Sequence, residues 1–212
     1  MGIDNIFFDE MYDEAGQPRS SFASYGQWLA QQEPAKLLKK TQEAEDLFRK
    51  TGITFAVYGK EEAEERLIPF DIVPRIISAQ EWARVSRGIE QRVRAMNAFL
   101  HDIYHRQEIV RAGKLPEHMV SSNSAFLDRM IGFTPPGGVY SHIVGVDLVR
   151  TGPNDFFALE DNARTPSGVS YMLENRETMM RMFPELFTHM KVREVSDYPK
   201  RLRRSLSACA PP

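Results

Sequence analysis

Cysteine is almost absent. Cys209 is the only one in 212 residues, so no internal disulfide can form and a reducing, cytoplasmic compartment is expected. No apolar run approaches the ~18–20 residues that cross a bilayer, which argues against a membrane span. The opening stretch MGIDNIFFDEMYDE is acidic and has no basic n-region, so it does not read as a secretory signal. Asn-x-Ser/Thr sequons, internal repeats and low-complexity segments are missing as well. So are phosphate-binding glycine motifs. No GxGxxG occurs, and GITFAVYGKE (52–61) has six residues between its glycines, with Glu61 where Ser or Thr should follow the lysine. Charge of one sign is not in excess either. A net charge of −2 gives no global field toward nucleic acid or membrane.

What is present is ordinary for a globular protein: 42% hydrophobic and 26% charged residues, enough for one large domain or two small ones. Residues 9–20 are polar with Gly and Pro and read as an irregular lead-in. Two helical patterns over 21–52 are divided by Pro34; in the second, Leu37, Leu38, Ala44, Leu47 and Phe48 form the expected apolar face, and Gly52 the stop. ITFAVYG (53–59) reads as a strand and KEEAEER (60–66) as a charged loop or turn. SAQE at 78–81 is a capping box that opens a long helix with a core stripe from Trp82 to Ile103. Pro135-Pro136-Gly137-Gly138 launches a strand over 139–150. TGPND turns the chain, and FFALEDN (156–162) returns. A helix over 173–187, broken at Pro184, and a last one beginning near Pro199 complete the pattern.

The returning strand runs from Phe, Phe, Ala and Leu straight into Glu160, Asp161, Asn162 and Arg164. A four-residue loop at 152–155 would pair Thr151 with Phe156, Val149 with Ala158 and Asp147 with Glu160. Alternation along a strand then puts Asp147, Glu160 and Asn162 on one face and buries Phe157 and Leu159 on the other. Opposed carboxylates with Cβ atoms ~4.5–5.5 Å apart repel, and a divalent cation turns that repulsion into a site. Oxygen-only ligands suit Mg²⁺ or Mn²⁺ rather than Zn²⁺. The competing reading is a polar-faced edge hairpin whose carboxylates are simply solvated.

Asp-x12-Glu-x-Asn on an antiparallel hairpin, followed by a Pro/Ser/Gly turn, resembles the metal-binding end of ATP-grasp ligases. More specifically the chain resembles the N-terminal part of circularly permuted ATP-grasp proteins, relatives of glutathionylspermidine synthetase-like amide ligases. The matching blocks include IPFDIVPRIISAQEW, RVRAMNAFLHDIY, PPGGVYSHIVGVDLVR and ALEDNARTPSGVSYMLENR, and with shorter ones they span most of 50–190. The resemblance implies an α+β, ATP-grasp-like mixed or antiparallel sheet with packed helices, circularly permuted and incomplete. A helical lead-in would occupy 1–52 and a partial ATP-grasp domain 53–212. It implies Asp147, Glu160 and Asn162 as metal ligands, Arg164 as the catalytic contact to phosphate or acyl phosphate, and Ser167 and Gly168 as the turn near the acceptor substrate. ATP and Mg²⁺ would be the cofactors, and a small-molecule or peptide carboxylate and an amine the substrates. The purine pocket and phosphate-gripping lysine of such proteins lie on a later segment, so a C-terminal half is an expected partner. The alternative is a non-catalytic remnant or a protein-interaction module.

Other patterns carry less. His101 and His105 share a helix face, but two ligands make no zinc site. His142 reads as a packed strand histidine, and the Met-rich stretch 172–182 as core or a partner surface. The tail KVREVSDYPKRLRR has six basic and two acidic residues and reads as a solvated helix face rather than a nucleic-acid surface. Arg75 and Arg129 are candidate anion contacts.

Overall fold

A computed structural model describes residues 7–57 and 64–210, which fall into two compact units. The first is built from Met1–Ser78 with Ser167–Ser196, the second from Ala79–Pro166 with Asp197–Pro212. Both combine helices with one small antiparallel sheet, so the architecture is α+β.

The first unit contains α1 (Ala23–Ala30) and α2 (Pro34–Thr51). Pro34 sits at the start of α2, where its fixed φ suits a helix and its missing N–H costs nothing. Gly52 ends α2 in the left-handed region at φ 73°, and Ile53 N–H reaches back to Phe48 O at 3.0 Å. Ala44 and Phe48 are buried, as the periodicity requires; Leu38, expected with them, is 62% exposed. The chain continues as β1 (Thr54–Val57), paired antiparallel with β2 (Glu64–Leu67). The charged segment 60–66, read as a loop, therefore ends in a strand; its residues 60–63 lie outside the described residues. After Gly168, α6 (Val169–Met182) is followed by α7 (Pro184–His189), the break falling at Phe183 and Pro184 as expected. Phe22, Tyr25, Met179, Phe183 and Leu186 form the core, with Trp28 edge-on to Phe183 at 5.4 Å. Burial, with Asp71 and Tyr12 adding to it, pushes the Tyr25 hydroxyl up to about 12.

The second unit is organised on α3 (Ala79–Ile103). Val85 and Ile103 are buried, whereas Trp82 and Phe99 at the stripe's margins are about two-fifths exposed. Short helices α4 (Glu108–Arg111) and α5 (Glu117–Ser121) follow. The Asp102 carboxylate accepts from the N–H groups of Glu108 and Ile109, at 2.8 and 2.9 Å, and so caps the start of α4. Ile103, Tyr104 and Val120 are its buried cluster, and Tyr104 stacks on Phe126 at 4.9 Å. β3 (Gly145–Arg150) and β4 (Phe156–Asn162) form the hairpin. The strand is shorter than the 139–150 expected, because residues 139–144 run irregularly along α3 and bond to its side chains instead of to a strand. The last helix is α8 (Tyr198–Ala208), with Pro199 in its first turn.

Candidate functional site

Asp147 pairs with Glu160 across the β3–β4 hairpin, and Gly145 with Asn162. The route to that pairing differs from the expected one. The turn spans five residues, 151–155, so that Arg150 faces Phe156, Val149 faces Phe157 and Leu148 faces Ala158. A bulge then inserts Leu159 as an extra residue, which restores the register at Asp147–Glu160. Without the bulge the one-residue slip would have moved Glu160 to the wrong face.

Burial along the strands fixes which face is which. Asp147, Val149, Phe157, Glu160 and Asn162 are exposed, while Val146, Leu148, Arg150, Phe156, Ala158 and Asp161 are partly covered. The expectation that Phe157 and Leu159 are buried is therefore corrected: they are 61% and 73% exposed. The shifted turn puts Phe157 on the carboxylate side, and the bulge releases Leu159 from the ladder.

Charged side chains hold the covered face to α3. The Arg92 guanidinium grips the Asp161 carboxylate in a fork, Nε to Oδ1 at 2.7 Å and Nη2 to Oδ2 at 2.6 Å. This bonding holds the Asp161 carboxyl below its ordinary value and raises the guanidinium. Arg150, only 5% exposed, donates from Nη2 to Glu81 Oε1 at 2.6 Å and to Pro153 O at 2.8 Å. Sequence reasoning assigned Glu81 to a cap and passed over Asp161 and Arg92. The signal was available: alternation alone puts Asp161 opposite in face to its neighbours Glu160 and Asn162, facing the helix rather than the site.

The exposed face offers oxygen donors only. Asn162 Nδ2 donates to Glu160 Oε1 at 3.0 Å, which holds its carboxamide against the Glu160 carboxylate. Among the described residues no group of three or more His, Cys, Asp or Glu is arranged to hold a metal; the oxygen-bearing polar groups on this face are two carboxylates and one carboxamide. That donor chemistry fits a hard divalent cation and not zinc. Arg164, two residues past β4, is exposed and makes no hydrogen bond or ion pair among the described residues. Ser167 and Gly168 belong to the other unit, where Gly168 (φ 91°) precedes the first turn of α6 and accepts from Met172 N–H.

The other candidates resolve differently. The His101 and His105 rings stack with centroids 4.1 Å apart. His105 Nδ1 donates to His101 O, Thr134 Oγ1 meets His105 Nε2 at 3.0 Å, and His101 Nδ1 lies 3.2 Å from Tyr140 Oη. The pair thus fastens the 133–140 loop to α3. His142, expected as a packed strand residue, is exposed and precedes β3. Met179 is core, while Met172 and Met180 are exposed. Arg75 is bonded through Nε and Nη2 to the Glu10 carboxylate and is not a free anion contact. On α8, Arg201 pairs with Asp197 at 2.6 Å, and Lys200, Arg203 and Arg204 face solvent. No helix among the described residues is long and apolar enough to cross a membrane.

The hairpin thus presents Asp, Glu and Asn oxygens on one face, with α3 bonded to the other. The chain belongs to the circularly permuted ATP-grasp type 2 family, whose model matches residues 74–212. It is 44% identical over 206 residues to an uncharacterized protein of Synechocystis sp., covering 97% of this chain and 43% of that one. It is 45% identical over 199 residues to an uncharacterized protein of Mycobacterium tuberculosis, covering 94% and 35%. A Frankia alni protein named "Putative glutamate--cysteine ligase 2-3" is 37% identical over 209 residues, covering 97% and 24%. The chain thus spans less than half the length of these curated relatives.

Proposed function

We propose that this chain carries the Mg²⁺-binding hairpin of an ATP-dependent carboxylate–amine ligase acting through an acyl phosphate, with the nucleotide-gripping half outside these 212 residues. The observation that carries the reading is the direct pairing of Asp147 with Glu160, with Asn162 bonded to Glu160, on the exposed hairpin face. Family membership and the ligase name of the Frankia relative support it. Residues 53–212 would be the partial ATP-grasp domain, behind the lead-in 1–52.

In this reading Asp147, Glu160 and Asn162 hold Mg²⁺, or Mn²⁺, through oxygen. Bound there, the metal supplies positive charge that neutralises phosphate oxygens. Arg164 brings a planar guanidinium suited to a phosphoryl or acyl-phosphate group. Ser167 and Gly168 form a turn that the acceptor amine approaches, glycine permitting close backbone contact. The substrates are a small-molecule or peptide carboxylate, which takes the phosphoryl group from ATP, and an amine that displaces phosphate to leave an amide. The expected compartment is the cytoplasm.

The 212-residue chain, incubated with ATP and Mg²⁺, should release little or no phosphate. Turnover that Glu160→Gln abolishes would contradict the missing-half proposal while supporting the metal assignment.

A second reading, a non-catalytic module that docks onto a partner through the hairpin, is favoured by the exposure of Phe157 and Leu159. Under it, neutralising Asp147 and Glu160 together stabilises the chain whether or not Mg²⁺ is present.

A further inference from the structure

Ser141 is a buried polar side chain in the second unit, 9% exposed, and each of its polar groups is bonded. Its N–H and that of Tyr140 are both accepted by Asn97 Oδ1, at 3.0 and 2.8 Å. Asn97 Nδ2 also donates to Val93 O at 3.1 Å, which fixes the carboxamide to its own helix. The Ser141 hydroxyl donates to Ala163 O at 2.7 Å; its other acceptor, Ile143 O, is at 3.4 Å, so the proton goes to Ala163.

That bond lies where the ladder has stopped. Gly145–Asn162 is the last pair of the hairpin; Ser141 precedes β3 and Ala163 follows β4. The carbonyl that Ser141 holds belongs to the Ala163–Arg164 peptide, which carries Arg164 Cα directly and is joined to Asn162 through Ala163 Cα, so fixing it restrains the backbone on which both side chains stand. A second contact acts on the same segment. A Cβ at Gly145 would lie 3.3 Å from Pro166 Cβ and 3.6 Å from Asn162 Cβ, so the chain after β4 folds back closely over the end of β3. The 163–166 segment is thus tied at one end and packed at the other.

We propose that Ser141 is a positioning residue for the hairpin site: its hydroxyl, anchored to α3 through Asn97, holds the Ala163 peptide and thereby aims Asn162 and Arg164. The proposal rests on the metal reading of Asp147, Glu160 and Asn162. Second-sphere groups that orient ligands typically change metal affinity ten- to hundredfold. A group with only a packing role lowers stability and leaves affinity alone.

The test is a Mn²⁺ titration of the 212-residue chain, followed by loss of the free-ion paramagnetic resonance signal, with a thermal melt of each metal-free variant. The wild type binds and Glu160→Gln does not. Ser141→Ala binds about tenfold more weakly, and Ser141→Thr, which keeps the hydroxyl, recovers wild-type affinity. If the alanine variant does not fold, Ser141→Cys, which keeps the volume but donates poorly, shows the same loss. Wild-type affinity in Ser141→Ala or Ser141→Cys, with Glu160→Gln still defective, overturns the role of Ser141 and leaves the metal reading standing. No Mn²⁺ binding by the wild type, or unchanged binding by Glu160→Gln, overturns the metal reading and this inference with it.

Discussion

Arg92 and Asp161 are 69 positions apart, and the guanidinium of one grips both carboxylate oxygens of the other. Asp161 lies between Glu160 and Asn162, and its clamp to α3 leaves those two neighbours pointing the other way. The bonding to Arg92 lowers the Asp161 pKa from 3.8, so below that value the unfolded chain binds the proton more readily than the folded one. The stability that Asp161 contributes is present above about pH 4 and is lost as pH falls through the folded-state pKa. Asp161→Asn should accordingly melt lower than wild type at pH 6, with the gap closing on acidification toward pH 3. A gap independent of pH would contradict the account.

Arg150 should matter more than Arg92. Its side chain is 5% exposed against 46% for Arg92, and it bonds the turn carbonyls of Gly152 and Pro153 as well as Glu81. Removing one member of a buried ion pair costs about 3–5 kcal/mol, because the other charge is left without its partner. Glu81 is 21% exposed and partly rehydrates, so roughly the low end of that range is expected for Arg150→Ala in chemical denaturation. A smaller loss than that of Arg92→Ala would be inconsistent with the geometry.

Much of this geometry is legible in the amino-acid sequence. Period-2 alternation and turn chemistry locate the hairpin, and Asp147, Glu160 and Asn162 do share a face. The turn length and the bulge were not legible, since they go with how the covered face meets α3, through Arg92–Asp161 and Arg150–Glu81, which is a tertiary matter. Two compensating errors, a four-residue loop and an unbroken ladder, still give the right Asp147–Glu160 pair. The same reasoning misplaces the apolar side chains. Local hydrophobicity says that Phe157 and Leu159 should be buried, without saying whether anything within the described residues covers them. Helix ends were easier, because Pro34, Gly52 and Pro184 act through their own backbone conformations.

The exposed apolar side chains give a direct check on that correction. With Phe157 61% and Leu159 73% exposed, Leu159→Ser and Phe157→Ser should shift stability by no more than about 0.5 kcal/mol. Ala44→Ser, at a fully buried position on α2, should cost clearly more. Urea denaturation of the three variants decides. Losses of several kcal/mol at Phe157 and Leu159 would mean that the hairpin faces the other way.

The proposed divalent-cation site consists of Asp147, Glu160 and Asn162. Its most direct test is the thermal melt of the 212-residue chain with and without Mg²⁺, against the double variant Asp147→Asn, Glu160→Gln. A ligand at a hundred times its Kd stabilises by about 2.7 kcal/mol, so saturating Mg²⁺ should raise the wild-type melting temperature by several degrees and leave the double variant unmoved. Equal shifts in both proteins, or none in the wild type, would contradict the proposed site.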